Sequence, residues 1–594
     1  MAHGSSTPIG QHGVIGDMET LALVGRAASI EWCCWPRFDS PSIFGCLLDE
    51  DGGAWSITPV GESWRDRQMY LPDTNVLVTR FHSDEGLVEV EDFMVVGGAG
   101  RGLVRRVTGV RGAIEMRSVM APRPDYGRRE PTLTAASNGS VLLDVGGTML
   151  SATGTVDLTI ADDARSVTAA FVVSEGETHC FALGTDGVDL LDDELRRATS
   201  SFWRSWISQS SYRGAYAEVV RRSALTLKLL THQASGGVIA AGTTSLPELV
   251  GGERNWDYRY VWIRDAAFTL YAFLELGFTA EAEAFTGWLG DRLIDDDRNE
   301  RASPLAPLYD LDGSTKLDEI ELDHWSGHRD SRPVRVGNAA SRQLQLDTYG
   351  ELLDCMYLAD KRGAGLSLAT WRELAALVDW VCDHWDQPDD GMWEVRSGRQ
   401  RFTSSALMCW VAVERGIRMA NFRGRPADLD RWRRTRDEIH AAIVERGWSE
   451  DRAAFTQVFD GDQLDASLLL MPLVKFVSGT DPQWLSTLAA IEDGLVHGVL
   501  VDRYDNATSD DGLEGDDGSF SICSFWLVEC LARAGRLEDA RIHFEKMLTF
   551  AGPLGLFSEV VSPSGDQLGN YPQAFTHLSL ISAAIHLDRL STPS

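Results

Sequence analysis

The sequence predicts a multidomain fold in which an all-β antiparallel sandwich precedes an all-α (α/α)6 toroid. Two observations lead to this prediction. Residues 14 to about 185 contain short apolar runs, many of which alternate with period two, and turn residues separate them. From Tyr216 onward the apolar period becomes 3.6. We therefore expect a β-sandwich over residues 1–186, a linker helix within 187–212 and the toroid over 213–594.

The strand-rich half is predicted to be antiparallel. Its runs include LALVG (21–25), LVEVEDFMVV (87–96) and SVTAAFVV (166–173), with no helical pattern between them. A parallel sheet needs crossover helices, so an antiparallel sandwich is favoured. The segment DDELRRATSSFWRSWI (192–207) then predicts one amphipathic helix that joins the two halves.

The helical half contains twelve helical stretches of two alternating kinds. Most odd-numbered stretches are amphipathic, whereas several even-numbered ones, such as SSALMCWVAVERGIRMA (404–420), are apolar on nearly every side. An amphipathic helix covers a core, and a helix that is apolar all round is buried. The alternation therefore predicts an outer and an inner ring built from six helix hairpins.

The loops that enter the inner helices are long and are predicted to meet at one end of the toroid. Long loops on a rigid scaffold are where binding residues concentrate, and the positive N-terminal ends of the inner helices point at the same end. We therefore expect the functional site there, within six loops: 234–259, 297–338, 388–402, 448–464, 496–518 and 550–571.

Composition excludes several classes of function. The chain has 88 acidic and 55 basic residues, a net charge of -33 that repels nucleic acids and anionic membrane surfaces. Nine cysteines without a CxxC pair predict neither a disulfide framework nor a zinc ribbon. With no signal peptide or membrane-spanning run, a cytoplasmic location is expected. We expect no metal or other cofactor, and a homo-oligomer would have to overcome self-repulsion.

The first long loop carries the motif RNWDYRYVWIRD (254–265). Aromatic rings stack on the C–H faces of sugars, and an Arg–Asp pair binds their hydroxyls. Tyr258, Trp262, Arg264 and Asp265 therefore predict a sugar-binding site. The alternative interpretation is an Asp that starts a helix beside a structural Arg.

Other loops contribute further candidates. In the second loop, two arginines form either a ligand clamp or an ion pair that orders the loop. Two glutamates in different loops are what glycosidic cleavage requires, because one protonates the leaving oxygen and the other activates water or forms a covalent adduct. Solvated loop glutamates are the alternative. These candidates are Arg332, Arg335, Trp393, Glu394, Arg503 and Glu559.

Five motifs follow one another along the chain: RNWDYRYVWIRD, RPVRVGN, GMWEV, the Arg503–Tyr504 pair, and LFSEVV with NYPQAFTHLSLI. In this order they resemble the motifs of glycoside hydrolase family 15, which contains glucoamylases, glucodextranases and bacterial trehalases. The openings IGDMETLALVG and ASIEWCCWPRFDSPSIFG look like the N-terminal domain of the bacterial trehalase-like branch. The segment WPRFDSPS (35–42) either reaches the loop end of the toroid or only anchors the sandwich.

The resemblance implies an inverting mechanism that releases β-glucose from the non-reducing end of an α-glucoside. Glu394 matches the general acid and Glu559 the general base. The residues matching the glucose pocket and the scissile bond are Tyr258, Trp262, Arg264, Asp265 and Arg503. Fungal glucoamylases have a second glutamate after the acid, where this chain has Val395, so contacts to the leaving sugar are expected to differ.

The expected substrate is a small soluble α-glucoside, with trehalose as the first choice. Malto- or isomalto-oligosaccharides are the alternative within this class. An inverting phosphorylase also combines a sandwich with such a toroid, and in it phosphate replaces the base carboxylate. A sugar-binding protein without catalysis is a third class, which the Glu394→Gln variant separates from an enzyme.

Overall fold

The protein is described here by a computed structural model covering residues 7–61, 64–97, 100–185, 191–293, 304–363, 365–506, 508, 509, 511–513, 515 and 517–591. Of the linker-helix segment 187–212, the first four residues lie outside the described ones. Strands dominate up to Thr185 and helices follow from Asp193, so the predicted order of the two classes is confirmed. The domain boundaries themselves stay predictions.

Sixteen strands form the described part of the N-terminal half. Turn residues with positive φ, such as Gly112 between two long strands, separate neighbouring strands. In chain order the strands are β1 (Gly13–Gly16), β2 (Leu21–Gly25), β3 (Ser29–Cys34), β4 (Ser42–Phe44), β5 (Ala54–Pro59), β6 (Arg65–Tyr70), β7 (Leu77–His82), β8 (Leu87–Met94), β9 (Gly102–Arg111), β10 (Ala113–Ala121), β11 (Thr132–Ala135), β12 (Val141–Asp144), β13 (Met149–Gly154), β14 (Thr159–Ile160), β15 (Val167–Ser174) and β16 (Thr178–Thr185).

The strands form two antiparallel eight-stranded sheets. One has the order β1-β2-β3-β5-β10-β15-β14, with β4 paired to β3, and the other has the order β11-β12-β13-β16-β9-β8-β7-β6. Strand β10 shows why one face is buried, since its inward residues alternate with exposed ones. Phe171 of the first sheet and Phe181 of the second have ring centroids 5.3 Å apart. The two sheets therefore pack face to face as a sandwich.

Thirteen helices occupy the described part of the C-terminal half and its connection to the sandwich. The first, α1, follows the N-cap Asp192, whose side chain accepts a hydrogen bond from the Glu194 N–H. The helices are α1 (Asp193–Ile207), α2 (Ala217–Leu230), α3 (Ala266–Leu276), α4 (Thr279–Leu293), α5 (Asp347–Arg362), α6 (Leu368–His384), α7 (Thr403–Arg423), α8 (Leu429–Arg446), α9 (Leu470–Leu473), α10 (Pro482–Leu495), α11 (Ser521–Arg533), α12 (Leu537–Leu548) and α13 (Ala574–Ser591).

Helices α2–α13 build the predicted double ring. In the inner ring each of α3, α5, α7, α9 with its preceding 3-10 turn, α11 and α13 packs on the next, and α13 returns to α3. Helix α7 is buried on nearly all sides, whereas α8 buries only Trp432, Thr435, Ile439 and Ile443 along one stripe. The (α/α)6 prediction is confirmed, and the long loops all enter inner helices.

Eleven two-residue strands pair within the described parts of these long loops. They give the loops local hydrogen bonding where no helix is present. They are β17 (Val261–Trp262), β18 (Leu308–Tyr309), β19 (Ile320–Glu321), β20 (Arg335–Val336), β21 (Trp448–Ser449), β22 (Ala454–Phe455), β23 (Val496–His497), β24 (Leu500–Val501), β25 (Ser519–Phe520), β26 (Val560–Val561) and β27 (Gln567–Leu568).

Two inner helices are shorter than their sequence patterns predicted. Helix α3 begins at Ala266 rather than at Val261, because Val261 and Trp262 pair with Leu308–Tyr309 as strands. The stretch 466–477 forms a 3-10 turn and then the four-residue α9, which contains Pro472. Proline lacks the N–H that a longer helix would use.

The sandwich holds the first and last long loops of the toroid. The indole N–H of Trp32 donates to the Gly242 carbonyl at 2.9 Å, and the Tyr571 hydroxyl donates to the His12 carbonyl at 2.8 Å. The WPRFDSPS segment (35–42) also contacts the long loops of the toroid. Its Ser40 carbonyl accepts a hydrogen bond from Arg259 Nη1 at 2.9 Å, and Arg37 pairs with Asp312 at 2.7 Å. No helix among the described residues is long and apolar enough to cross a membrane.

Candidate active site

A cavity lies among the long loops at one end of the toroid. The described residues that line it come from the first, second, third and fifth loops, and the sandwich contributes none. They are Glu248, Arg254, Trp256, Tyr258, Asn338, Ala340, Gln343, Trp393, Glu394, Val395, Arg396, Arg503, Asp511 and Leu513.

Glu394 lies at the wall of this cavity with one carboxylate oxygen already bonded. The Trp262 indole N–H donates to Oε1 at 2.7 Å, and Arg264 Nη1 lies 3.4 Å from the same oxygen. The backbone of Glu394 is left-handed, with φ of 61°. A non-glycine residue in this region stores local strain, which is a recurrent feature of functional sites.

Glu559 is almost fully buried, immediately before β26. Its Oε1 accepts hydrogen bonds from the Tyr258 hydroxyl at 2.7 Å and from Gln573 Nε2 at 3.2 Å. Burial raises the pKa of Glu559 well above its usual range, and the negative charge of Glu248 raises it further. The Tyr258 hydrogen bond and the charge of Arg503 act in the opposite direction.

An aromatic pair joins the two glutamates. The rings of Tyr258 and Trp262 have centroids 5.2 Å apart, and each ring carries the donor that binds one of the two carboxylates. Both aromatic residues come from the single motif at 254–265, which the sandwich anchors through Arg259. The structure thus brings Tyr258, Trp262, Glu394 and Glu559 into one group.

Arg264 and Asp265 lie directly before α3. Arg264 Nη1 donates to the Met392 carbonyl in the loop of Glu394, and Arg264 Nε lies 3.7 Å from Asp265 Oδ1. Asp265 Oδ1 is buried and finds no hydrogen-bond donor among the described residues. Burial raises the pKa of Asp265 to about 7, and Arg264 opposes that shift. A ligand hydroxyl would supply the missing donor.

Trp393 and Arg503 meet on the other side of Glu394. The Trp393 indole N–H donates to Asp465 Oδ1 at 3.0 Å, just before an inner-ring helix. The Arg503 guanidinium carbon lies 5.6 Å from the Trp393 ring centre, and Arg503 Nε donates to Asp517 at 2.9 Å. Both predicted residues therefore lie at the cavity in fixed orientations.

The two arginines of the second loop lie elsewhere. Arg332 is exposed and is not among the described residues that line the cavity. Arg335 is buried, and its Nη1 donates to the Glu253 carbonyl at 2.8 Å, while its guanidinium lies 4.5 Å above the Trp256 ring. Of the two interpretations, the contacts of Arg335 fit the one in which it orders the loop.

Sequence reasoning missed several polar residues near this group. Glu248, Arg254 and Asp511 line the cavity, and Arg254 Nη1 bonds Asp511 Oδ2 at 2.6 Å. Asp347, the first residue of α5, is buried with neither carboxylate oxygen bonded among the described residues. Burial raises its pKa to about 6. Arg254 begins the motif at 254–265, whereas no motif marks Glu248 or Asp347.

Comparison with known proteins identifies the family. Residues 214–585 match the model described as Glycosyl hydrolases family 15, and residues 1–200 match the one described as Trehalase-like, N-terminal. The first match alone spans more than half of the chain. The chain belongs to glycosyl hydrolase family 15. It is a glycoside hydrolase, as the predicted pair of carboxylates at a sugar site indicated.

Full-length relatives of this family 15 chain carry specific names. A protein named Trehalase from Mycolicibacterium smegmatis is 38% identical, with 98% of this chain and 91% of that protein aligned. Another named Trehalase, from Thermoplasma volcanium, is 34% identical over 97% of this chain and 93% of its own length. The crystal structure of a bacterial glucoamylase complexed with acarbose superposes with a TM-score of 0.73 at 12% identity, covering 98% and 95% of the two chains. At that identity the superposition demonstrates the fold alone.

Proposed function

We propose that this protein is a trehalase, an inverting exo-acting hydrolase that releases β-glucose from α,α-trehalose. The observation that carries the proposal is that relatives named Trehalase align with 97% or more of the chain, sandwich included. Trehalose is a neutral sugar, which suits a site built from aromatic rings and paired charges.

In this proposal Glu394 is the general acid. Its Oε1 accepts the Trp262 N–H at 2.7 Å, so the proton for the leaving oxygen is held on Oε2. Arg264, 3.4 Å from Oε1, stabilises the carboxylate that forms when this proton has moved to the glycosidic oxygen. The C–O bond to the anomeric carbon breaks in the same displacement.

Glu559 is the general base. Tyr258 and Gln573 both donate to its Oε1, which leaves Oε2 to accept a proton from water. Gly569 keeps space at that oxygen, because a Cβ at Gly569 would lie 2.9 Å from Oε2. The water attacks the anomeric carbon from the face opposite to the leaving sugar, and the first product is β-glucose.

Arg264 and Asp265 bind the terminal glucose. The buried Asp265 Oδ1 accepts a hydroxyl, and Tyr258 and Trp262 face the ring. Trp393 and Arg503 lie at the scissile bond on the side of the leaving sugar. The chain's own side chains supply acid, base and charge stabilisation, and among the described residues no group of three His, Cys, Asp or Glu is arranged for a metal ion.

Proton NMR of the first glucose released tests the stereochemistry. The inverting proposal requires the β-anomer to appear first and then to mutarotate toward equilibrium. The α-anomer as first product would contradict inversion. Glucose 1-phosphate formed in phosphate buffer would instead identify a phosphorylase.

Hydrolysis of trehalose, maltose and isomaltose tests the substrate. We expect kcat/KM to be highest for trehalose. A preference for maltose or isomaltose would move the protein to the glucoamylase or glucodextranase type of specificity.

We also infer that the enzyme works in the cytoplasm. All nine cysteines are free, including the adjacent Cys33 and Cys34. Burial raises the pKa of both of these thiols, which supports a structural role for them in a reducing compartment. Localisation of the tagged protein after cell fractionation tests this inference.

A further inference from the structure

Glu248 is a buried carboxylate at the cavity that the mechanism above does not use. It lies in the first long loop and lines the cavity together with Glu394, and its side chain is only 3% exposed. Its Oε2 is buried and finds no hydrogen-bond donor among the described residues. Arg503 Nη2 lies 3.6 Å away and is bonded to Asp517 instead. A buried acceptor without a donor is rare in proteins and calls for a partner.

The charge balance around Glu248 fits a neutral ligand rich in hydroxyl groups. Burial raises the pKa of Glu248 to about 7, Arg503 opposes the shift, and Asp517 adds to it. A cationic ligand would lie beside Arg503 and Arg254, and an anionic one beside Glu248 and Asp511, so both meet like charge. A hydroxyl group can donate to the carboxylate or accept from its protonated form.

The position of Glu248 relative to Glu394 indicates which sugar it meets. Arg264 and Asp265 lie at the start of α3 and are not among the described residues that line the cavity. Glu394 and Tyr258 belong to both places, because both line the cavity and both take part in the group around the two predicted catalytic glutamates. The bond protonated by Glu394 therefore divides the glucose at α3 from a second sugar in the cavity, where Glu248 lies.

Hydrogen bonds and a cation–π contact join the residues of the wall around that second sugar. Asp511 Oδ2 accepts hydrogen bonds from Arg254 Nη1 and from the Tyr504 hydroxyl, each at 2.6 Å. The guanidinium of Arg396 lies 4.1 Å from the Trp256 ring centre. Glu248 is joined to this wall by the hydrogen bond that its backbone N–H donates to the Arg254 carbonyl at 3.2 Å.

We propose that Glu248 binds a hydroxyl of the leaving glucose and determines specificity for that sugar. The inference rests on the proposed hydrolase function of the same site. It adds a contact between Glu248 and the leaving sugar, which the family resemblance does not imply.

Two substrates with and without a leaving sugar test this proposal. The second glucose of trehalose occupies the cavity, whereas α-glucosyl fluoride carries only the glucose at α3, and its leaving group is fluoride. At a pH on the activity plateau, we expect Glu248→Gln to lower kcat/KM for trehalose roughly 10- to 150-fold, the loss that corresponds to one hydrogen bond to a charged group. Most of this loss should appear as a higher KM. Fluoride release should fall less than about threefold, because no contact to a leaving sugar is lost.

A matched control and a conservative variant accompany the test. Glu450 is an exposed glutamate of the fourth long loop, and Glu450→Gln removes the same charge without touching the cavity. It should leave both substrates unchanged. Fluoride release by Glu248→Gln reports that the variant is folded. If it does not fold, Glu248→Asp keeps the charge, withdraws the oxygens by one methylene and should show the same split between substrates.

Three results would overturn the proposal. Equal losses on both substrates would mean that Glu248 acts on the bound glucose or on Glu559. A trehalose loss that lies in kcat rather than in KM would mean that it acts through Glu394. No loss on either substrate would leave Glu248 a structural residue.

Failure of the trehalase proposal gives a different pattern. The wild-type enzyme would then release fluoride from α-glucosyl fluoride but no glucose from trehalose. In that case maltose replaces trehalose in the same comparison, because its leaving glucose occupies the same cavity.

Discussion

Trp262 donates a hydrogen bond of 2.7 Å to Glu394, and Tyr258 donates one of the same length to Glu559. The surroundings of the two carboxylates nevertheless differ. Glu394 lines an open cavity beside Arg264, whereas Glu559 is buried next to a second carboxylate, Glu248. Burial and the neighbouring Glu248 carboxylate raise the pKa of Glu559, which by itself favours a proton donor. The assignment of Glu559 as the base therefore follows from the family resemblance, and the substitutions below test it.

Substitution of each glutamate distinguishes the two roles. We expect Glu394→Gln and Glu559→Gln each to lower kcat/KM for trehalose about 10²- to 10⁴-fold, the usual range for a lost proton transfer. With α-glucosyl fluoride, Glu394→Gln should retain much more activity, because fluoride leaves without a proton. Glu559→Gln should remain impaired, since water still needs a base. A reversed pattern would exchange the two assignments, and Glu450→Gln serves as the control.

Tyr258→Phe tests how the Tyr258 hydrogen bond affects the pKa of Glu559, the proposed base. Tyr258 donates to Glu559, and the other groups that face this carboxylate are Gln573, Glu248, Arg503 and Arg264. The hydrogen bond favours the ionised form, so its loss raises the pKa of Glu559. Because the base works only when deprotonated, the acidic limb of kcat/KM should move to higher pH.

Below neutral pH we expect the Tyr258→Phe variant to lose about 10-fold or more in kcat/KM, as for a lost hydrogen bond to a charged group. Initial rates across the pH range measure this loss. Tyr216→Phe removes a hydroxyl from an outer position, where it bonds Glu545, and should leave the profile unchanged. An acidic limb that stays in place or moves to lower pH would contradict the assignment of Glu559 as base.

At the scale of single elements, the crossing of α5 and α7 brings two inner helices into backbone contact. A Cβ at Gly350 of α5 would lie 2.2 Å from the carbonyl oxygen of Met408 in α7. Each helix follows a long loop that carries predicted site residues, so this close crossing helps to position the end of the toroid where these loops meet. Only glycine permits the observed separation.

Gly350→Ala should therefore push these helices apart. We expect a loss of unfolding free energy of about 1–3 kcal/mol or more, as for overpacked cores. Gly287 of α4 has open space around it, and Gly287→Ala should instead stabilise the protein by roughly 0.5–1 kcal/mol. The midpoints of urea unfolding, followed by circular dichroism, compare the two variants. Equal behaviour of the pair would contradict the close crossing.

Helix type was predictable from sequence because it depends on which faces are apolar. The all-apolar pattern of α7 and the single stripe of α8 marked inner and outer positions. The start of α3 was not predictable, because a short apolar run such as Val261–Trp262 suits a buried helix and a strand equally. Its pairing with Leu308 and Tyr309 depends on a loop more than forty residues away in sequence.

The residues of the site also separate into those that the sequence could predict and those that it could not. Tyr258, Trp262 and Glu394 could be predicted as site residues because they lie in motifs that resemble a family. Glu248 carries no such signal, because the direction of a loop side chain is determined by tertiary neighbours such as Arg503. Arg332 and Arg335 came from one motif, yet only the second is buried, since its strand pairs with β19.

At the scale of the whole molecule, the net charge of -33 leaves the reaction itself unaffected if the substrate is a neutral sugar. Electrostatic steering acts on charged ligands. The sandwich matters more, because Arg259, next to Tyr258 in the chain, is held by the sandwich residues Ser40 and Tyr126. The N-terminal half therefore positions Tyr258, the hydrogen-bond donor to Glu559, although none of its described residues lines the cavity.

Tyr126→Phe tests whether the sandwich supports catalysis. The Tyr126 hydroxyl accepts a hydrogen bond from buried Arg259 Nη2 at 3.0 Å, and its loss leaves that donor partly unpaired. We expect a cost of about 1–3 kcal/mol in unfolding free energy. The loosened Tyr258 should also lower kcat more than it raises KM.

Tyr70→Phe is the matched control, because the Tyr70 hydroxyl bonds Val14 within the sandwich. It should cost similar stability and leave kcat/KM unchanged, so equal kinetic losses in both variants would show that only general destabilisation is at work.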